Sequence, residues 1–451
     1  MMKKHLFFSF LFVLAGLCSF SQNWEWTKTA GGPAIDKVTG VTNDAFGNIF
    51  ITGYFDSTIA FDSTRLVSAG GTDVFLAKYD ADGVLIWAKQ VGGQNDDYST
   101  AISTDITGNC YVTGFFFIQG TTTTFGTTTI TQAGDADMFI SKFTSAGALL
   151  WVRNAGGKSE DAAFGISTDV SGNSYVTGYF SGTALFGTYK ITSTGYSDVF
   201  VAKFDAAGNM VWVRSGGGSY QDEAYAVSTD IAGNCYITGY FTGNALFAST
   251  PLSSAGYFDT DMLILKYNPS GLLLWAKRAG GTANDIGYGM DITGTGQVVV
   301  CGVFQGTKSF GENVLTRVGG SNGFIARFET NGKMAWVKST SGPEYSEYRK
   351  VSLDAVGNCY VAGSISGEVT FGTTPFVSAG EKDACVAKYS PKGELMWVLQ
   401  GGGTEDDESM SITTDASGNT YAAGQFNTSA SFGKMKVAGW ALQDIFVARI
   451  K

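Results

Sequence analysis

An internal repeat of 61–64 residues, present seven times, constrains this chain more than any other feature of its sequence. Three markers share one register: a turn glycine that precedes an apolar run, a tryptophan and a phenylalanine. Repeats of this kind bury their apolar faces by stacking into a solenoid or a propeller. The glycines are Gly47, Gly108, Gly172, Gly233, Gly296, Gly357 and Gly418; the tryptophans are Trp26, Trp87, Trp151, Trp212, Trp275, Trp336 and Trp397; the phenylalanines are Phe61, Phe125, Phe186, Phe247, Phe310, Phe371 and Phe432.

Within one repeat, the residue pattern predicts four short antiparallel strands. The segments are rich in β-branched and aromatic residues, and they show apolar runs rather than strict alternation, which indicates burial of both sheet faces. Two tight turns end in glycine, the residue that supplies the positive φ of short hairpin loops. In the third repeat the predicted strands are Ala163–Thr168, Ser174–Phe180, Val199–Phe204 and Met210–Arg214.

The two ends of the chain are complementary parts of one repeat. The segment Asp444–Lys451 stops after a third strand, and Asn23–Thr29 is a spare fourth strand that carries Trp26. Pairing the two would remove two exposed strand edges, whereas a linear solenoid needs distinct capping repeats. We therefore predict an all-β fold, a seven-bladed β-propeller with four main antiparallel strands per blade. In this prediction residues 22–451 are one domain, and the N-terminal strand closes the ring by completing the last blade.

The repeat also resembles a known family. The run from Asp169 to Phe180, followed by Asp198–Phe204 and the strand with Trp212, is similar to the SBBP β-propeller repeats of bacterial secreted proteins. The resemblance extends over residues 23–451. It implies the propeller fold and no common catalytic activity. Many relatives carry a C-terminal sorting domain for export across the outer membrane, and because this chain ends at the propeller its final address stays open.

The first 21 residues have the pattern of a secretory signal peptide. Lys3 and Lys4 precede an apolar run from Leu6 to Leu17, and small residues frame Phe20 at the predicted cleavage point after Ser21. The run is too short to span a membrane, and no later stretch is long and apolar enough. We expect a secreted protein, extracellular or on the outer cell surface, with the periplasm as an alternative.

The composition excludes several classes of function. Without Lys3 and Lys4 the chain has 28 basic and 40 acidic side chains, a net charge near −12, whereas a nucleic-acid partner needs a basic face. The one histidine, His5, lies in the predicted signal peptide. The mature chain therefore lacks the imidazole of Ser-His-Asp and Cys-His pairs and of histidine-ligated zinc. We predict a monomer with no catalytic residue, metal ligand or cofactor, and with no nucleic-acid partner and no membrane insertion.

The candidate ligand contacts are aromatic residues that depart from the repeat. The long connections between second and third strands open onto one face of a propeller, and ligand sites favour loops on a rigid scaffold. Aromatic rings suit both sugars and protein anchors; the alternative is that each ring packs on its own loop. The predicted contacts are Tyr196, Tyr257 and Trp440 in the long connections, and Tyr220 and Tyr345 in the loops that precede a first strand.

The sixth repeat departs from the others in its first strand. Lys350 stands where the other repeats have Gly, Ala or Ser, and its neighbour Arg349 replaces Thr, Phe, Tyr or Met. Since blades converge at the axis, we expect these two cations near the mouth of the channel, where they would receive a carboxylated or sulfated group. The alternative is a salt bridge to an acidic ring that stands just before the first strands. That ring consists of Asp36, Asp97, Asp161, Asp222, Asp285 and Asp407, with Ser346 in the sixth repeat.

The acidic ring itself has two interpretations. Calcium prefers oxygen ligands of this kind. An aspartate repeated in nearly every blade, however, more often caps loop amides or pairs with a repeated base, and the third strands carry such bases, for example Lys78 and Arg327. We favour the second interpretation and predict no metal.

The function predicted from sequence is a non-enzymatic binding scaffold, with a protein or a glycan on the long-loop face. The alternatives are a carbohydrate-active enzyme with paired carboxylates, which needs no histidine, and a purely structural cell-surface protein.

Overall fold

The computed structural model describes residues 22–117, 122–126, 128–256, 258–310, 313–317, 319–415, 417–440 and 442–451. The predicted signal peptide and the candidate Tyr257 lie outside these residues. All regular structure in the described residues is β-strand. No helix there is long and apolar enough to cross a membrane. The all-β prediction is confirmed.

Each repeat folds into four antiparallel strands that neighbour one another in chain order. In the third repeat the second strand pairs with the first through Val176 and Ile166 and with the third through Val176 and Ala202. The third strand then pairs with the fourth, where Val201 lies opposite Arg214. The strand bounds contain the predicted ones and extend the fourth strand to Gly218. A four-stranded antiparallel unit of this kind is typical of a propeller blade.

The same four strands recur along the chain. The first strands are Asp36–Asn43, Asp97–Thr104, Asp161–Thr168, Glu223–Thr229, Asp285–Ile292, Ser346–Leu353 and Glu408–Thr414. The second strands are Ile49–Phe61, Cys110–Phe117, Ser174–Phe180, Cys235–Thr242, Val298–Phe304, Cys359–Ile365 and Thr420–Phe426. The third strands are Thr64–Tyr79, Ala136–Phe143, Asp198–Phe204, Thr260–Tyr267, Asn322–Phe328, Asp383–Tyr389 and Asp444–Ile450. The fourth strands are Trp24–Gly31, Leu85–Val91, Leu149–Gly157, Met210–Gly218, Leu273–Gly281, Met334–Ser341 and Leu395–Gly402.

The long connections, which sequence reasoning treated as loops, contain a further β-hairpin. In the first repeat this hairpin is the outer part of the second and third strands, where Phe61 lies opposite Thr64. In five of the other repeats the hairpin pairs with the end of the fourth strand of the preceding repeat, as Leu185 does with Gly156. The hairpins therefore join neighbouring repeats. Their strands are Thr122–Phe125 with Thr128–Thr131, Thr183–Phe186 with Tyr189–Thr192, Asn244–Phe247 with Thr250–Ser253, Thr307–Phe310 with Asn313–Thr316, Glu368–Phe371 with Thr374–Val377, and Ser429–Phe432 with Met435–Ala438.

The repeated aromatic residues hold the repeats together. Phe186 of the hairpin is fully buried and packs with its ring centroid 5.0 Å from that of Phe200 in the third strand. The indole N–H of Trp212 donates to the carbonyl oxygen of Pro269, in a turn of the next repeat, at 3.0 Å. Trp26, Trp87, Trp151, Trp275 and Trp336 make the equivalent bond. The tryptophan recurs because it spans the junction between two repeats.

The two ends of the chain lie side by side. Trp24–Gly31 pairs antiparallel with Asp444–Ile450, from Trp26 opposite Arg449 to Ala30 opposite Ile445. Each first strand packs against the first strand of the next repeat, and the first strand of the first repeat also packs against that of the seventh. The apolar core lies between the sheets, in clusters that each combine residues of neighbouring repeats.

Candidate functional site

A β-bulge in every first strand creates the central cavity. The strand pairing skips one residue at the same place in each repeat, and a bulge of this kind re-aims the side chain of the extra residue. All seven skipped residues line one cavity of about 240 Å³, which we call the central cavity. They are Thr39, Thr100, Phe164, Tyr225, Tyr288, Arg349 and Met410.

Three consecutive bulge residues form an aromatic wall of this cavity. The ring centroid of Tyr225 lies 5.3 Å from that of Phe164 and 5.5 Å from that of Tyr288. We call Phe164, Tyr225 and Tyr288 the aromatic arc. All three rings are half-buried. Behind them, Tyr240 of the second strand packs against Tyr225 at 6.0 Å, so the arc is held in place by the sheet beneath it.

Arg349, one of the predicted contacts, continues the wall beyond the arc. Its guanidinium lies 4.6 Å from the ring centroid of Tyr288. Its Nε donates to Oε1 of Glu347 at 2.6 Å. This cation is therefore already paired within its own strand, and it is not bonded to the acidic ring.

Lys350 also lines the central cavity, at a point where the neighbouring first strand comes close. Its Cα would be 2.8 Å from a Cβ at Gly289 of the neighbouring first strand. Burial lowers the pKa of Lys350, and the negative charge of Asp291 partly offsets that effect. The carboxylate of Asp291 accepts the backbone N–H groups of Ile292 and Leu353 at 2.8 Å. The other repeats have Ser or Thr where Asp291 stands, at Thr42, Ser103, Ser167, Ser228, Ser352 and Thr413. The acid and the base thus depart from the repeat together.

Two of the predicted aromatic contacts are exposed on the long connections. Tyr196 and Trp440 each expose 74% of their surface. Trp440 borders a second cavity of about 390 Å³, lined also by Pro33, Thr58 and Arg65. This cavity lies where the first and last repeats meet.

The other two predicted aromatic contacts pack against neighbouring loops. The ring of Tyr220 makes an edge-to-face contact with Phe258, with centroids 5.6 Å apart. Phe258 follows Tyr257 and is itself 70% exposed, and sequence reasoning did not select it. The ring of Tyr345 lies 5.7 Å from the ammonium of Lys382. Burial raises the pKa of Tyr345, and the nearby carboxylate of Glu347 raises it further.

The acidic ring caps loop amides. Oδ2 of Asp161 accepts the N–H of Gly157 at 2.6 Å, and Oδ2 of Asp222 accepts that of Gly218 at 2.6 Å. Equivalent bonds reach Asp97, Asp285 and Asp407. The repeated bases of the third strands contact other groups, as in the 3.3 Å ion pair between Lys142 and the turn residue Asp105. The described residues hold no group of three or more His, Cys, Asp or Glu suited to a metal ion.

Each carboxyl of the acidic ring lies beside a second buried carboxyl, which the third strand of the preceding repeat carries. Burial and the charge of Asp137 raise the pKa of Asp161 to about 7, and burial raises the pKa of Asp137 itself to about 6. Gly156 separates the two, because a Cβ there would collide with Asp137 and lie 3.1 Å from Oδ2 of Asp161. The pairs are Asp73 with Asp97, Asp137 with Asp161, Asp198 with Asp222, Asp261 with Asp285, Asp383 with Asp407, and Asp444 with Asp36.

The junction that leads into the sixth repeat replaces all three of these positions at once. Asn322 and Ser346 stand where the other junctions have two aspartates, and Ser341 stands in place of the glycine. The hydroxyls of Thr340 and Ser346 are hydrogen-bonded at 2.7 Å. Without two carboxyls to accommodate, the junction has room for a side chain at residue 341.

The opposite, short-turn face carries exposed apolar residues that sequence reasoning passed over. They lie at the tips of the turns between first and second strands, each 64–76% exposed: Phe46, Ile106, Val170, Ile231 and Val356. Sequence reasoning also missed the aromatic arc, although the variation at its position, just before the small residue of the first strand, was visible.

The sequence is similar to one family of repeats and to two known proteins. Residues 86–114 match the SBBP family model, which describes a β-propeller repeat. An uncharacterized WD repeat-containing protein of Acanthamoeba polyphaga mimivirus is 22% identical over 499 residues, which cover 89% of this chain and 36% of the relative. The regulatory protein FlaEY of Caulobacter vibrioides is 23% identical over 169 residues, 35% of this chain and 17% of the relative. The chain thus spans only about a third or less of either relative.

Two solved structures align with this chain over most of its length. The WD40 domain of Neurospora crassa Pan2 superposes with a TM-score of 0.44 at 10% identity, covering 92% of this chain and 89% of that one. Sqt1 of Chaetomium thermophilum superposes with a TM-score of 0.46 at 8% identity, covering 95% and 99%.

The strand pairing and the matched repeat define the class. The protein is an all-β repeat protein built from β-propeller repeats, with sequence similarity to a WD-repeat protein.

Proposed function

We propose that the chain is a closed, seven-bladed β-propeller that binds a protein partner on its long-loop face without catalysing a reaction. Closure is supported by the pairing of Trp24–Gly31 with Asp444–Ile450 and by the packing of the first and seventh first strands. The similarity to a WD-repeat protein supports a binding role. The pattern of residues 1–21 supports secretion.

The observation that carries this proposal is the exposure of large aromatic side chains on the long connections. Tyr196, Phe258 and Trp440 each expose at least 70% of their surface. Rings of this size bury 150–250 Å² in a typical interface, and they are enriched among the residues that dominate binding energy. The long connections therefore present large aromatic surfaces to solvent.

A glycan is the second ligand class, and the cavity beside Trp440 favours it. An exposed indole next to Arg65 and Thr58 combines a stacking surface with hydrogen-bond donors. The enzyme alternative has less support, because the paired aspartates at the repeat junctions are buried and a substrate would not reach them.

The experiment is a comparison of two surface variants. The purified protein is screened against the secreted and surface proteins of its source cells and against a glycan array, and each hit is titrated with both variants. The double variant Tyr196→Ser, Trp440→Ser should weaken binding by about tenfold or more, within the range for interface anchors. The control variant Phe46→Ser, Ile231→Ser on the short-turn face should bind as the unchanged protein does. The reverse pattern would place the partner on the short-turn face and overturn the proposal.

A further inference from the structure

The central cavity is lined by two cations and by no acid. Arg349 and Lys350 are among its lining residues, and no aspartate or glutamate is. In an uninterrupted strand consecutive side chains point to opposite faces, whereas the bulge at Arg349 lets this residue and the next one line the same cavity. The first strand of the sixth repeat therefore brings two positive charges to one place.

The ammonium of Lys350 has its hydrogen-bond donors available. In the part of the chain that the structure describes, Lys350 forms no side-chain hydrogen bond and no ion pair. The charge of Asp291 acts on it, but the oxygens of this carboxylate accept the backbone N–H groups of Ile292 and Leu353 instead, at 2.8 Å each. Since an ammonium group has three donors and no acceptor, Lys350 can donate to a ligand in the cavity.

Arg349 and Ser411 add further donors on the same side of the cavity. Nε of Arg349 donates to Glu347, whereas the other N–H groups of its guanidinium have no acceptor among the described residues. Ser411 lies on the neighbouring first strand and also lines the cavity. Its Oγ accepts the backbone N–H of Val41 at 3.1 Å, and no described residue accepts its own proton. A guanidinium, an ammonium and a hydroxyl arranged in this way suit a carboxylate, which accepts several charge-assisted hydrogen bonds at once.

Apolar side chains form much of the remaining wall. Val41, Ile102 and Met410 line the cavity together with the aromatic arc. A bare anion would leave this surface without a contact, whereas burial of an apolar group against it is favourable. The cavity volume of about 240 Å³ has room for one group of about the size of a single aromatic side chain. The lining therefore favours a carboxylate that is attached to a compact apolar body.

We propose that the central cavity binds a small organic carboxylate with a compact apolar body. The carboxylate lies between Arg349, Lys350 and Ser411, where its charge offsets the cost of burying two cations. The body occupies the space bordered by Val41, Ile102 and Met410. This inference goes beyond the proposed function, because it concerns a small ligand between the first strands and does not depend on a protein partner at the long connections.

The test uses three probes, titrated against the purified protein by ligand-observed NMR. They are 3-phenylpropanoate, its neutral isostere 3-phenylpropanamide, and acetate, which lacks the apolar body. We expect saturable binding of 3-phenylpropanoate and at least about tenfold weaker binding of each of the other two. Absence of saturable 3-phenylpropanoate binding, or equal binding of either comparison probe, would overturn the inference. Neither result bears on the exposed aromatic residues of the proposed function.

A charge-removing variant tests the role of Lys350. The double variant Lys350→Ser, Asp291→Ser removes the ammonium together with the charge that faces it, and it should weaken 3-phenylpropanoate binding by at least about tenfold. The matched control is Lys37→Ser, which removes a lysine from the first strand of the first repeat, outside the lining of the cavity. This control should bind the probe as the unchanged protein does. Equal affinities of the double variant and the control would contradict the inference.

A second pair of variants keeps the inference testable if the double variant folds poorly. Met410→Glu places a carboxylate on the wall of the cavity, where it should occupy the cations and exclude the probe. Met410→Gln introduces a side chain of the same size without the charge. With folding verified by circular dichroism, Met410→Glu should bind 3-phenylpropanoate at least about tenfold more weakly than Met410→Gln does. Equal binding by these two variants would overturn the inference.

Discussion

At the scale of single residues, equivalent positions can be compared among the seven repeats. A residue that every repeat shares serves the fold, as Trp212 does by bridging to Pro269. A residue that departs from the repeat needs a local explanation, and here the departures are paired. Lys350 occurs together with Asp291, and Ser341 occurs together with Asn322 and Ser346. Pairing of this kind is expected where two neighbouring positions in adjacent repeats must match in packing or in charge.

The pair of Lys350 and Asp291 leads to a first prediction, which a double-mutant cycle tests. Each single change, Lys350→Ser or Asp291→Ser, should destabilise the protein by roughly 1 kcal/mol or more, because it leaves the other charge without its partner. The double variant copies the next pair of repeats, which has Ser352 and Ser411 at these two positions, and should recover most of that loss. Chemical denaturation measures all four proteins. Additive losses would show that the two charges are not coupled.

At the scale of the structural element, the bulge, the hairpin and the repeat junction each do one task. The bulge turns one side chain per repeat into the central cavity. In six repeats the hairpin ties the repeat to the preceding fourth strand among the described residues. The junction buries two carboxyls beside a glycine, and a carboxyl whose charged form is disfavoured by burial keeps its proton to a higher pH.

The raised pKa values of the carboxyls at the junctions predict that the stability of the folded protein falls as pH rises. The pKa of Asp161 is about 7 in the folded protein against an ordinary value of 3.8, and the pKa of Asp36 is about 8. A carboxyl with a raised pKa binds its proton more tightly when folded, so its contribution is complete below the unfolded pKa and is lost as pH rises through the folded one. Between about pH 5 and pH 8.5 the melting temperature should therefore decrease. A melting temperature that rises over this interval would contradict the shifts.

The junction that leads into the sixth repeat suggests a variant that tests this pH dependence. Asp137→Asn, Gly156→Ser and Asp161→Ser together rebuild the junction that leads into the third repeat as the chain already builds the one with Asn322, Ser341 and Ser346. The triple variant should fold and should lose less stability over the same pH interval, because two raised pKa values have been removed. Gly156→Ser alone should be destabilising, since its Cβ collides with Asp137. A pH dependence identical to that of the unchanged protein would assign the effect to other groups.

At the scale of the whole molecule, the two chain ends meet in one sheet. Deleting Asn23–Thr29 removes most of the strand that pairs with Asp444–Ile450 and leaves an open edge there. We expect the shortened protein to aggregate or to melt at a clearly lower temperature, as measured by light scattering and thermal unfolding. A synthetic peptide of the deleted segment should restore part of the stability, since a ligand of the folded state stabilises it. A monomeric product with an unchanged melting temperature would mean that this strand does not hold the ends together.

The five described cysteines allow a test for disulfide bonds in the folded protein. Cys110, Cys235, Cys301, Cys359 and Cys385 are buried and unbridged in the described residues, and burial raises the pKa of Cys359 to about 12. Alkylation without reductant should modify none of the five in the native protein and all five after unfolding, because a buried thiol forms little thiolate. Mass spectrometry counts the labels. Fewer than five labels in the unfolded protein would reveal a disulfide.

The sequence by itself determined the repeat, its four strands and its tight turns. These features are local: β-branched and aromatic runs favour strands, and a positive φ at Gly172 or Gly208 is a property of the turn alone. The departure of Arg349 and Lys350 from the repeat also indicated a position near the axis, and both residues line the central cavity.

Only the tertiary structure decided what surrounds these residues. The aromatic arc exists because bulges in three separate repeats turn Phe164, Tyr225 and Tyr288 toward one cavity, and the contacts between them join residues about 60 positions apart. The hairpin pairs with a strand of the preceding repeat, and each aspartate of the acidic ring meets its partner across a junction. Such neighbours follow from how the repeats pack, and no pattern within a single repeat contains them.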